Sequence, residues 1–133
     1  MYRIFGPVFF HQQGCGQTAQ TNSAHAVGTA ASIWGDIPYT EAANPEISDP
    51  VFDSQVSVYN AAISLLDQGI SSLQSASSSN LAEDIYFGGD KDKWIAAAYT
   101  LKARFSLHKK DYAAAASAAA NGIRSAEGDM RFY

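Results

Sequence analysis

Between Val56 and Leu73 the apolar residues Val56, Tyr59, Ile63, Leu66, Ile70 and Leu73 recur at alternating spacings of three and four, while Asp53, Ser57, Asp67 and Ser71 fall elsewhere around the cylinder. A period near 3.6 gathers the apolar set into one stripe of an α-helix, and such a stripe has to be buried against partners. The pattern predicts a helix over about 53–74 and, with it, helical neighbours. Gly69 inside this helix costs about 1 kcal/mol against alanine, which points to a neighbouring backbone approaching there.

The remaining segments supply those neighbours. Ala24, Ala26, Ala30 and Ala31 with Val27 and Ile33 predict a helix over about 21–34, enclosing His25 and stopped by Gly35. Gly35-Asp36-Ile37-Pro38 reads as a turn, because glycine permits positive φ and Pro38 keeps Ile37 out of the helical region. Tyr39 to Pro50, with Pro45 and Pro50 each following Asn or Asp, predicts an extended surface connection, a connector before a ligand contact. Ser75 to Asn80, with four serines, has the composition of a linker. A third helix is expected over about 92–108, capped by Asp90 or Asp92. Its Trp94, Ala98, Leu101 and Phe105 mark one face and Ile95 with Tyr99 another, so it should be sandwiched between neighbours. Lys109 and Lys110 form a short turn, and Asp111 caps a fourth helix over about 111–126 whose Tyr112, Ala115, Ala116, Ala119 and Ile123 share a face. So many alanines allow an interaxial distance at the short end of the ~8–10 Å range, giving a tight antiparallel hairpin. Residues 1–17 lack a clean period and stay unassigned, as does the role of Cys15. The class is all-α, with one helical domain over 1–133.

Composition narrows the function. A chain of 133 residues, 47% hydrophobic, can bury roughly 65% of its unfolded surface in one core. Charged residues are 17% and the net charge is −4, which provides no cationic field for phosphate backbones or anionic headgroups, so nucleic acid and direct electrostatic membrane binding are excluded. One cysteine excludes an internal disulfide and a Cys-x-x-Cys site. Met1 to Phe10 followed by Cys15 superficially imitates a lipoprotein signal, but Pro7 interrupts the apolar run and Gln12 stands where a lipobox has an aliphatic residue. No apolar stretch approaches the ~20 residues of a membrane span.

No Gly-x-Gly-x-x-Gly, phosphate loop, His-Glu-x-x-His or Gly-x-Ser-x-Gly occurs, so neither a cofactor nor a hydrolase is indicated. His11, His25 and His108 are far apart and read as surface or packing residues. A Cys15/His11 or Cys15/His25 nucleophile pair would lack a visible oxyanion arrangement. The acid pairs Glu83/Asp84 and Asp90/Asp92 flank a Gly-Gly turn before a helix, where carboxylates favour the positive helix end, and they read as caps before acid–base catalysts. Aromatic rings stack on the apolar faces of sugars. Trp34 and Trp94 lie in helices and read as core, whereas Tyr39, Tyr86 and Phe87 lie near loops and are the candidate ligand-binding residues, with packing beneath the loops as the plainer alternative.

The last two helices resemble a tetratricopeptide unit, with Ala103, Tyr112, Ala115, Gly122 and Ile123 at matching places, although Ser106 stands where an aromatic is usual and Ala119 where a large residue is usual. A more specific likeness joins Trp34-Gly35-Asp36-Ile37-Pro38-Tyr39-Thr40-Glu41-Ala42, Tyr59-Asn60-Ala61-Ala62-Ile63 with Leu65-Leu66-Asp67, and Asp84-Ile85-Tyr86-Phe87-Gly88-Gly89-Asp90 with Lys93-Trp94. Thr100-Leu101-Lys102-Ala103-Arg104-Phe105-Ser106-Leu107-His108 continues it. In this order, over about residues 21–127, the segments resemble the SusD/RagB family of outer-membrane nutrient-binding lipoproteins. The resemblance implies an antiparallel helical-hairpin fragment of a larger fold, without a lipoprotein signal or a C-terminal half. It further implies a binding protein and no enzyme, capturing an oligosaccharide or related nutrient and delivering it to a SusC-like TonB-dependent transporter, held at the outer membrane by a lipid anchor absent from this chain. The alternative is a tetratricopeptide-type protein–protein interaction scaffold, which presents a concave surface to peptides.

Overall fold

The computed structural model describes residues 16–75 and 84–130. Expectations about Cys15, His11, Glu83 and the serine-rich stretch beyond Ser75 lie outside them. Four α-helices follow in order: α1 Gly16–Trp34, α2 Gln55–Ser75, α3 Lys91–His108 and α4 Tyr112–Ala119, then a 3₁₀ turn at Ala126–Gly128. Among the described residues there is no strand, only an isolated antiparallel bridge between Ile37 and Asp53. The fold is all-α.

α1 packs on α2, α2 on α3 and α3 on α4, and α1 also reaches α3. The core lies where the first three meet. Val58, Tyr59, Ala62, Leu66 and Ile70 of α2 are buried with Ala24 and Ala31 of α1 and Ala98 and Phe105 of α3. Each fully buried large side chain here contributes about 1.5–3 kcal/mol relative to exposure. The stripe on α2 is rotated from the expected one. Val56 is exposed and Ile63 half-buried, because both lie past one edge of the buried arc, which is centred near Leu73.

α1 begins five residues before the expected Thr21, through polar Gln17, Thr18 and Gln20 that carry no apolar period. Its inward face is built from small residues, Thr21, Ala24, Gly28 and Ala31, all buried. Gly28 is required there, since a Cβ at this position would overlap the Phe105 ring.

α3 starts where Asp90 caps it, accepting from Asp92 N at 3.0 Å and Lys93 N at 3.2 Å. Both faces of α3 are used: Trp94, Ala98 and Phe105 are buried, and Ile95, Tyr99 and Leu101 pack half-buried on the core. Asp111 caps α4 through Ala114 N at 3.1 Å. Asp111 N donates to Ser106 O, while Ile123 N donates to Thr100 Oγ1 at 2.9 Å, so the chain doubles back antiparallel along α3.

α4 ends at Ala119 and not near Ala126. Asn121 N and Gly122 N already bond three residues back, tightening the last turn, and Thr100 then takes the next amide. The inward face of α4 is also turned from the expected one. Ala115, Ala118 and Gly122 are buried, whereas Tyr112, Ala116 and Ala119 are exposed.

Candidate functional site

The segment between α1 and α2 is expected to be an unstructured connector; instead it is a closed loop. Gly35, at φ +79°, turns the chain away from α1. Ile37 and Asp53 then exchange both backbone hydrogen bonds, at 3.2 and 3.0 Å. The Asp53 carboxylate accepts from Tyr39 N at 3.0 Å, Thr40 N at 2.8 Å and the Thr40 hydroxyl. Asp36 accepts from Gln55 N at 2.7 Å, and Gln55 Nε2 donates to Ala31 O at 2.7 Å. Glu41 holds the far side through Val51 N at 3.0 Å. A loop of this length with joined ends and its own side chains satisfying its amides is an Ω-loop. The hydroxyl and amide of Thr40, followed by the amide of Tyr39, hold the Asp53 carboxyl below the usual carboxylate range.

The aromatics around the loop divide unexpectedly. Tyr39 is half-buried against the core. Trp34, expected inside, is 71% exposed, and Phe52 is 70% exposed. Trp34 lies about 100° around α1 from the middle of the Thr21–Ala31 stripe at 3.6 residues per turn. The sequence carried that signal in the register of the small residues, while the size and type of the side chain pointed the other way.

Tyr86 and Phe87 occupy the turn before α3. Asp84 organises this turn: its carboxylate accepts from Tyr86 N, Phe87 N and Gly89 N at 3.0, 3.1 and 3.2 Å, and from the Trp94 indole Nε1 at 2.7 Å. Burial raises the carboxyl's pKa, yet the hydrogen bonds from Tyr86, Trp94, Gly89 and Phe87 together outweigh it and leave a net lowering. Of the expected caps, Asp90 therefore caps α3 while Asp84 is a turn organiser. Tyr86 and Phe87 meet Trp94 edge-on, with centroids at 5.9 and 5.3 Å. Trp94 is 1% exposed and packs with Leu73, as its expected core role requires.

Tyr86 and Phe87 are brought together, but Tyr39 is not brought to them. Tyr39 belongs to the end of α2 near Val58, they belong to the end near Leu73, and fifteen residues of helix span ~22 Å.

His25 is exposed, while His108 closes a clasp at the loop end of the bundle. Its Nδ1 lies 3.1 Å from Ser32 Oγ and 3.2 Å from Tyr59 Oη. Tyr59 donates to Ser32, and Ser32 donates to Gly28 O at 2.8 Å, so both hydroxyl protons are committed and the imidazole serves as the donor. Ser32 is thereby bound to its own helix, which suits packing better than attack on a substrate. Among the described residues no group of three His, Cys, Asp or Glu side chains could hold a metal ion, and no helix is long and apolar enough to cross a membrane.

The described residues form an all-α array of helical hairpins that carries an ordered loop with exposed aromatics. The chain belongs to a SusD-like family described as starch-binding and associating with the outer membrane, which matches residues 12–129. A SusD/RagB family protein from Bacteroides thetaiotaomicron superposes with a TM-score of 0.71 at 29% identity, covering 86% of this chain and 25% of its own. A SusD-like protein from the same organism gives 0.67 at 26% identity, over 80% of this chain and 24% of its own. A SusD homolog from Bacteroides uniformis, at 24% identity and a TM-score of 0.62 over 84% of this chain and 24% of its own, shares the fold. The chain thus spans about a quarter of the length of the solved structures it matches. None of the curated proteins matches it.

Proposed function

We propose that this chain is the helical part of a non-catalytic glycan-binding protein that captures an oligosaccharide at the outer membrane and delivers it to a SusC-like TonB-dependent transporter. Membership of the starch-binding family over residues 12–129 carries this reading. Lipid anchoring of the whole protein and the transporter partner are part of the proposal.

Within the chain, the contacts are assigned to loop aromatics. Half-buried Tyr39 in the Ω-loop forms one contact region, and Tyr86 with Phe87 forms a second on the Asp84 turn. Both turns are fixed before any ligand arrives, which lowers the ordering cost of binding. An oligomer able to engage both ends of α2 gains by effective concentration. Calorimetric titration of a chain carrying this sequence with maltooligosaccharides checks the assignment: Tyr39→Ala, Tyr86→Ala and Phe87→Ala each weaken binding by about 5- to 30-fold, the loss of roughly 1–2 kcal/mol of ring contact. Unchanged binding by all three variants would refute it.

A further inference from the structure

We infer that Ser32, Tyr59 and His108 form a latch that fixes the register of α1 against α3 and stays closed whether the imidazole is neutral or charged. α1 and α3 run the same way, both antiparallel to α2: Gln55 at the start of α2 reaches Ala31, Tyr59 stacks on Phe105, and Leu73 packs with Trp94. Their contact comes in two steps. The first is at Gly28, where only the absence of a Cβ admits the Phe105 ring. Four residues further along α1 and three along α3, Ser32 Oγ lies 3.1 Å from His108 Nδ1. A slip of one turn, ~5.4 Å, would set the Cβ of Ala24 or Ser32 against that ring and separate the polar pair. Tyr59 of α2 closes the third side. Its ring stacks on Phe105 at 5.8 Å and meets His108 edge-on at 5.7 Å, and its hydroxyl lies 3.1 Å from Ser32 Oγ and 3.2 Å from His108 Nδ1.

The protons in this triangle are determined. Gly28 O can only accept, so the Ser32 hydroxyl, 2.8 Å away, gives its proton there. Ser32 Oγ then accepts from its other neighbours, and the approach of Nδ1 at 3.1 Å requires a hydrogen on Nδ1. The Tyr59 hydroxyl, facing that N–H, turns its own proton to Ser32. The neutral ring is therefore the Nδ1–H tautomer, and Nε2 has no partner among the described residues. Charging the ring adds a proton at Nε2, outside the latch, and leaves the Nδ1–H donor in place. The other charged and titratable groups of the packed helices stand outside it as well. α1 has no charged residue, and His25 lies nearly two turns from Ser32; α2 has none before Asp67. On α3 the cation one turn back is exposed Arg104, Lys109 and Lys110 follow in the turn, and the Asp111 carboxylate is engaged by Ala114 N.

The test is imidazole nitrogen NMR of the chain, joined to amide hydrogen exchange in two variants. His108→Asn can place its carboxamide nitrogen where Nδ1 was, whereas His108→Gln carries its nitrogen one bond further out. The ring signal lost in both variants identifies His108. It is expected to show a protonated Nδ1 and a bare Nε2 when neutral, the reverse of the tautomer that free histidine favours, and to keep the Nδ1 proton as the ring charges. Exchange at the Ser32, Ile33 and Gly35 amides is expected to stay within about two-fold of wild type in His108→Asn and to rise about ten-fold in His108→Gln. A neutral ring protonated at Nε2 overturns the latch, as does loss of the Nδ1 proton signal on charging. Equal exchange in the two variants overturns it too.

Discussion

The two tryptophans show how position outweighs residue type. Trp94 is enclosed, with its indole N–H held by Asp84 at 2.7 Å, whereas Trp34 stands in solvent at the end of α1. Trp94→Ala should therefore cost about 3–5 kcal/mol in thermal or denaturant unfolding, while Trp34→Ala should stay within about 0.5 kcal/mol of wild type, as surface changes do. Asp84→Ala leaves the buried indole N–H and three turn amides without their acceptor, and a loss of about 1–3 kcal/mol is expected. The pH dependence has a definite sign. Because the folded Asp84 carboxyl lies below its ordinary value of 3.8, its contribution is present above that value and is lost as pH falls through the lower folded value. Asp84→Asn should accordingly flatten the acid limb of a stability–pH curve. Gly28→Ala drives a methyl into the Phe105 ring and should destabilise by about 1–3 kcal/mol, where a glycine at an uncrowded helical site would gain from the same change.

The four helices were legible from periodicity and caps, and the pairing of α3 with α4 followed from their short connection and small residues. What escaped was decided by tertiary contacts. α4 stops early because Thr100, a residue twenty-three positions away, takes the Ile123 amide that a longer helix would have kept. The start of α1 escaped because Gln17, Thr18 and Gln20 carry no hydrophobic period, and its small-residue stripe ran in a register that pointed Trp34 outward. The Ω-loop escaped because Asp53, placed by its sequence at the start of a helix, spends its carboxylate on Tyr39 and Thr40. Its carboxyl is also held low by those bonds, so the loop clasp is expected to hold above about pH 4 and to open on further acidification. Hydrogen exchange at the Tyr39 and Thr40 amides, accelerating selectively in that direction and in Asp53→Asn, is the check. At the head of α3, Asp90→Ala removes a cap serving two amides and should cost about 1 kcal/mol by denaturant unfolding.

Across the molecule, the aromatics divide into a fully buried set and a set at the turns, to which we propose that ligand contact falls. Tyr59, Phe105 and Trp94 hold the bundle, and Tyr59 stacks on Phe105 with centroids 5.8 Å apart. Trp34, Tyr39, Phe52, Tyr86 and Phe87 lie on or near turns fixed by Asp53 and Asp84. The candidate residues Tyr39, Tyr86 and Phe87 were readable as loop aromatics, but their separation to opposite ends of α2 depends on which core cluster each one joins, and that is a property of the assembled bundle. The division of labour can be read from the two tryptophans separately. In a fluorescence titration with a maltooligosaccharide, a Trp94→Phe variant, reporting Trp34 alone, should shift its emission to shorter wavelength and lose accessibility to acrylamide, while a Trp34→Phe variant, reporting Trp94 alone, should not respond. A response from Trp94 with none from Trp34, or silence from both in a chain that retains its helical circular dichroism, would contradict glycan capture at the loop face.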